Sequence, residues 1–209
     1  MGENRRSPAM LPALWESSMG RHLLIADDPI RGADGLTVGG FWRWAYSDVL
    51  TNTTRGVFAE FLVASALGVT DEPRVEWDAV DLRYRGKTIE VKSAAYCQSW
   101  KQPRPSAVRF GVAKRRAWSA STDTYDDVQR RSADAYVFCL FTERDQSQAA
   151  DRVLDLGAWE FYVVATARLN SRLRGQKSVG LVRVRSFAEA VPYRQVLAEL
   201  DRVLGGFGR

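Results

Sequence analysis

Histidine is almost missing from this sequence, with a single residue, His22, in 209. Schemes in which an imidazole activates a serine or cysteine nucleophile therefore have little to work with, and any chemistry falls to carboxylates, lysine or a metal ion. Cysteine is equally scarce. Cys97 and Cys139 lie in unrelated contexts without C-x-x-C spacing, which argues against both a zinc framework and a disulfide scaffold. No run approaches the roughly 18 consecutive apolar residues of a membrane span. The start, MGENRRSPAMLPALW, lacks a signal-peptide core and cleavage site, so a cytoplasmic protein with no membrane contact is expected. Proline is sparse and charges of both signs are interspersed, which argues against wholesale disorder.

What is present suits one ordinary domain: 45% apolar residues, 11% aromatic and 26% charged can bury a single core. Residues 1–36 mix Pro, Gly and charge without periodicity and read as an irregular arm, packed in part through Leu14 and Trp15. Residues 37–209 read as the domain. FWRWAYSDVL predicts a first helix, and RGVFAEFLVASAL a second, capped by Asn52, Thr53 or Thr54 and ended by Gly68. Strands are predicted at Arg74–Trp77, Val80–Tyr84, Thr88–Lys92, Ala107–Val112, Ala135–Phe141, Trp159–Val164 and Gly180–Val184. A helix is expected over Ala165–Leu173. The capping box Ser186-x-x-Glu189 announces a last one, with Leu197, Leu200, Val203 and Leu204 on one face. The pattern is α/β, a sheet flanked by helices.

The net charge is +5, and its distribution says more than its size. From Leu82 to Arg116 ten basic residues face one acid, Glu90, a segment that would attract phosphates. Lys114, Arg115 and Arg116 beside Trp118 read as a phosphate-contacting loop or as a solvated basic loop. Gln98, Trp100 and Lys101 could meet nucleic acid by stacking and hydrogen bonding; a tryptophan in the core is the alternative.

Residues 77–100, WDAVDLRYRGKTIEVKSAAYCQSW, carry the chemistry. Arg85-Gly86 can form a two-residue turn, which pairs Tyr84 with Lys87, Leu82 with Ile89 and Asp81 with Glu90. Alternation then turns Leu82, Ile89 and Val91 to the core and places Asp81, Glu90 and Lys92 together on the other face. Two carboxylates opposite one another repel unless a cation lies between them. Hard oxygen ligands suit Mg²⁺, which takes one or two carboxylates and keeps several waters, and Lys92 can contact a phosphate or position water. These are the parts that phosphodiester hydrolysis needs. A solvated strand face decorated with ion pairs is the plain alternative.

In these residues the chain resembles the PD-(D/E)xK nuclease superfamily. Glu90-Val91-Lys92 matches the E-x-K half and Asp81 the upstream acid, although no proline precedes it and Asp78 is an alternative if a bulge shifts the register. The resemblance covers roughly residues 54–142. It implies a restriction-endonuclease-like mixed sheet flanked by helices, with Asp81, Glu90 and the carbonyl of Val91 as ligands to Mg²⁺, or Mn²⁺ as a substitute, and Lys92 assisting the attacking water. Members often add an acid from the preceding helix, which Glu60 matches; an acid placed near a helix N-terminus for its dipole is the other reading of Glu60. Gln98 is followed four residues later by Gln102 where exonuclease-like members carry Tyr, which favours a restriction-type endonuclease. DNA is the expected partner, with RNA open, and cutting both strands of a duplex would call for a homodimer. A nucleic-acid-binding module on the same fold, without catalysis, is the competing expectation.

Overall fold

A computed structural model of the chain describes residues 23–76, 79–116, 118–119, 124–125 and 127–205. In chain order the elements are α1 (Val38–Tyr46), α2 (Asn52–Leu67), β1 (Leu82–Tyr84), β2 (Lys87–Ala95), β3 (Arg109–Gly111), β4 (Trp118–Ser119) and β5 (Thr124–Tyr125). They continue with β6 (Ala135–Phe141), α3 (Gln146–Arg152), β7 (Trp159–Ala165), α4 (Thr166–Leu173), β8 (Ser178–Gly180), α5 (Leu181–Arg185) and α6 (Val196–Val203).

The hairpin forms in the register its turn dictates. β1 runs antiparallel to β2 with Leu82 opposite Ile89 and Tyr84 opposite Lys87, and Arg85 and Gly86 take φ of 49° and 74°. That pair of left-handed residues is what a two-residue hairpin turn requires. β2 then pairs in parallel with β6, and β6 antiparallel with β7, giving a mixed sheet in the order β1-β2-β6-β7. Every residue of β6 is buried, as befits a central strand covered on both faces. Ile89, Val91, Val137 and Phe161 pack on one side against Ala59 and Val63 of α2 and Leu200 of α6. Phe138, Leu140 and Tyr162 pack on the other against Phe110, Leu169, Leu173 and Val184. That second layer consists of α4, α5 and a separate two-stranded sheet of β3 and β8. The architecture is α/β and restriction-endonuclease-like, a four-stranded mixed sheet flanked by helices.

Several local expectations shift. The N-cap of α2 is Thr51, whose hydroxyl accepts from the Thr54 N–H at 3.2 Å. Asn52 is already helical and accepts instead from Arg55 Nη2 at 2.6 Å. Gly68 ends α2 as expected, with φ 67° and N–H bonds from Gly68 and Val69 back to Ser65 and Ala64. Residues 74–76 form no strand, while Trp77 and Asp78, like His22, Leu14 and Trp15, fall outside the described residues. Gly180–Val184 is not a strand: Leu181 and Val184, three apart, bury the inner face of α5 while Val182 is exposed. The capping box fails because Ser186 closes α5, its hydroxyl donating to the Arg183 carbonyl at 2.7 Å, and the last helix begins only after Pro192. Its buried face is Val196 and Leu200, with Leu197 turned out. Helix α3, capped by Asp145, has no counterpart in the expected elements. Among the described residues no helix is long and apolar enough to cross a membrane.

Candidate active site

Glu90 lies abreast of Tyr136 and Lys92 abreast of Phe138 in the parallel ladder, so both side chains leave β2 on the face covered by β3 and β8. Ile89 and Val91 leave on the face covered by α2. The β1–β2 ladder stops at Leu82, and the next N–H of β2 that looks toward β1, that of Val91, donates to Asp81 Oδ2 at 2.7 Å. This bond draws the Asp81 carboxylate to the start of the Glu90-Val91-Lys92 run. Lys92 Nζ then stands 2.5 Å from Glu90 Oε1 and 3.5 Å from Asp81 Oδ2. The expected convergence of Asp81, Glu90 and Lys92 is present, with side chains 18–27% exposed.

The electrostatics follow from that burial. Desolvation pushes the Glu90 carboxyl above the usual glutamate range; Lys92 and Arg115 pull it back, and the charge of Asp81 adds to the rise. The Tyr136 phenol beside it is pushed up to about 12, by burial first and by the charge of Glu90 second, and stays a neutral donor at physiological pH. Arg115 acts on Glu90 from a strip whose backbone pairs with Arg130, N–H to carbonyl at 3.0 Å in both directions. Lys114, Arg115 and Arg116 are all exposed there, so the basic loop read from the sequence borders the acids.

Glu60 is placed differently. It lies on α2, which packs on the Ile89–Val91 face, and its carboxylate is clasped by Arg74 through Nε and Nη2. Arg74, which holds Glu60, also feels the charge of Asp81. Gln98 points inward. Only 7% exposed, it accepts from Arg55 Nη1 at 3.2 Å and donates to the Ala95 carbonyl at 3.1 Å and Ser106 Oγ at 3.4 Å. Its amide is spent holding the 98–106 loop and is not available to nucleic acid. Trp100 is 53% exposed at the loop surface, with Lys101 beside it.

Positioning residues missed in the sequence are Arg55, Gln102, Arg131 and Gln146. Gln102 Oε1 accepts from the Gln98 N–H at 2.6 Å, and Gln146 Nε2 donates to the Gln98 and Trp100 carbonyls at 3.2 and 2.5 Å. Arg55 and Arg131 are buried, and their hydrogen bonds go to neutral oxygens, with Arg55 Nε left without a partner among the described residues. No local spacing marks such residues, because their partners are distant in the chain.

Among the described residues no three His, Cys, Asp or Glu side chains gather as a metal-binding group. Among the described residues, the acids that converge on Lys92 are Asp81 and Glu90.

The sequence model of the bacteriophage T4 endonuclease IV family matches residues 44–175, well over half of the chain. The chain belongs to that family. As a member of the endonuclease IV family it is a nuclease, and the matched stretch contains the whole hairpin, the basic strip and strands β6 and β7. No curated protein matches the chain.

Proposed function

We propose that the protein is a Mg²⁺-dependent endonuclease that hydrolyses DNA phosphodiester bonds at the Asp81–Glu90–Lys92 cluster. The observation that carries this reading is the approach of two carboxylates to one ammonium on the sheet face bordered by exposed Lys114, Arg115 and Arg116. The donor set fits the ion. Asp81 and Glu90 supply hard anionic oxygens, the Val91 carbonyl a neutral one, and two carboxylates are what Mg²⁺ accepts while keeping several waters. The position of Lys92 Nζ between the acids marks a place where positive charge is stabilised. When bound, the ion supplies Lewis acidity, neutralising phosphate charge and lowering the pKa of water at the site; Mn²⁺ substitutes for it.

The protein's own groups do the rest. The Val91 N–H fixes the orientation of Asp81. Lys92 donates to the attacking water or to a phosphate oxygen, while Lys114, Arg115 and Arg116 hold flanking phosphates. Trp100, exposed on the loop that follows β2, offers a ring on which a base can stack.

The test is cleavage of supercoiled plasmid and of circular single-stranded DNA with Mg²⁺, Mn²⁺ or EDTA, using wild type, Glu90→Ala and Lys92→Ala. Metal-dependent opening of the circles, lost in both variants, is the expected result. DNA binding equal in all three proteins, with no cutting by any, would overturn catalysis and leave a binding module.

A further inference from the structure

The stretch from Leu82 to Arg116 is not the sole acid-poor segment. Between Ala165 and Ala188 the charged residues are Arg168, Arg172, Arg174, Lys177, Arg183 and Arg185, with no Asp or Glu, and all six are exposed. Their apolar neighbours Leu169, Leu173, Val179 and Val184 are buried against the sheet face that bears Glu90 and Lys92. The basic side chains thus stand on the outer surface of the layer beside the candidate active site.

A groove of about 490 Å³ in this surface is lined by Arg109, Gln176, Lys177, Ser178 and Arg183, with no carboxylate. Arg109 donates to Ser178 Oγ at 3.0 Å and Arg183 to the Arg172 carbonyl at 3.4 Å. Among the described residues the ion pairs found leave Arg109, Arg172, Lys177 and Arg183 without an acid. Buried Arg131 braces the groove: it donates to the Val112, Arg174 and Gln176 carbonyls at 2.8, 3.2 and 3.1 Å and to Asn170 Oδ1 at 2.7 Å. This ties the turn before β8 to the segment that leads from β3 into Lys114, Arg115 and Arg116. A solvated face of mixed charge needs no such arrangement; an acid-free, braced cationic groove reduces its self-repulsion when a polyanion lies in it.

We infer that Arg109, Arg172, Lys177 and Arg183 form a second phosphate-contacting surface, which holds the nucleic-acid backbone away from the scissile position. This rests on the proposed nuclease reading and extends the footprint of that site.

The experiment is fluorescence anisotropy with a long labelled DNA oligonucleotide in EDTA across a salt series. It compares wild type with the combined Arg172→Gln, Lys177→Gln, Arg183→Gln variant and with an Arg152→Gln control, whose guanidinium pairs with Glu143 and Asp155 elsewhere. The combined variant should flatten the plot of log affinity against log salt by about 2 to 3, at 0.7–0.9 per lost contact. The control should follow wild type. Lys177→Glu alone, at an exposed turn, should shift the slope in the same direction and covers the case in which the combined variant misfolds. A folded combined variant with wild-type affinity and slope, while wild type still cuts DNA, overturns this inference alone. A wild type that binds no DNA at low salt overturns the nuclease reading and this one with it.

Discussion

Lys92→Met removes the ammonium from the Asp81–Glu90 pair while keeping most of the side chain's volume. The ammonium lies 2.5 Å from Glu90 and 3.5 Å from Asp81, and all three side chains are less than a third exposed, so both attractions are only partly screened. Without it the carboxylates face one another in a setting that already pushes Glu90 above the ordinary range by burial. The loss has a ceiling, because Glu90 can take up a proton. For an ordinary glutamate of pKa about 4.3, that costs about 3.7 kcal/mol at pH 7. Water access lowers the penalty further, and the expected destabilisation is about 1–3 kcal/mol, a fall in Tm of roughly 3–10 °C. Loss of Lys92 also removes two influences that hold Glu90 down, so the carboxyl rises further in the folded variant than in wild type. A group whose folded pKa is raised binds its proton more tightly in the native state, so stability increases as pH falls through that pKa. The gap between wild type and variant, measured by urea denaturation in EDTA, should therefore narrow from about pH 8 to about pH 5. A gap that stays constant or widens would refute the electrostatic account. Plasmid cutting by the same variant should fall by about 10²–10⁴-fold, the range for a positioned proton-transfer group; retention within tenfold would remove Lys92 from the chemistry.

Glu60→Gln should lower cutting by less than about tenfold, since Arg74 already holds that carboxylate; a fall of 10² or more with weakened metal binding would place Glu60 among the ligands. Arg131→Met leaves the Val112, Arg174 and Gln176 carbonyls without their donor. At about 1–3 kcal/mol per buried group left unpaired, calorimetry should show a Tm lower by on the order of 10 °C, and an unchanged Tm would mean that water replaces the guanidinium. Asp134 is held below the usual aspartate range by the Thr88 N–H first, then by the Thr88 hydroxyl and Lys87. Its contribution is fully present above the ordinary pKa of about 3.9 and is lost as pH falls through the lowered folded value. Asp134→Asn should accordingly flatten the acid limb of a circular-dichroism stability profile below about pH 4; a limb as steep as that of wild type would contradict the assignment.

Position within the site was readable wherever local rules acted. Glu90 and Lys92 are two apart on one strand, so the pleat alone puts them on one face. The Arg85-Gly86 turn sets the register only as far as Leu82; Asp81, expected opposite Glu90 in the ladder, lies beyond it and is drawn in by the Val91 N–H. Gln98 was misread because a polar residue after a strand looks exposed in one dimension. Its burial depends on Arg55, 43 residues away. Glu60 matched a helical position, but its pairing depends on Arg74, across a loop whose path no periodicity describes.

The same division holds for the fold. β6 declared itself as a central strand by seven apolar residues in a row, and α2 by its terminal glycine at φ 67°. Short apolar runs did not decide themselves: Leu181, Val182 and Val184 fit strand or helix equally, and the buried layer under Val184 selected the helix. By itself the sequence determined the hairpin, its register and the placing of Glu90 and Lys92 on one face, because turn chemistry and side-chain alternation act over a few residues. Only the tertiary structure decided that β3 leaves the main sheet to pair with β8, that Arg131 braces the two, and that the charge of Arg115 acts on Glu90. Those outcomes depend on which apolar surfaces meet, and burial is non-directional and indifferent to separation along the chain.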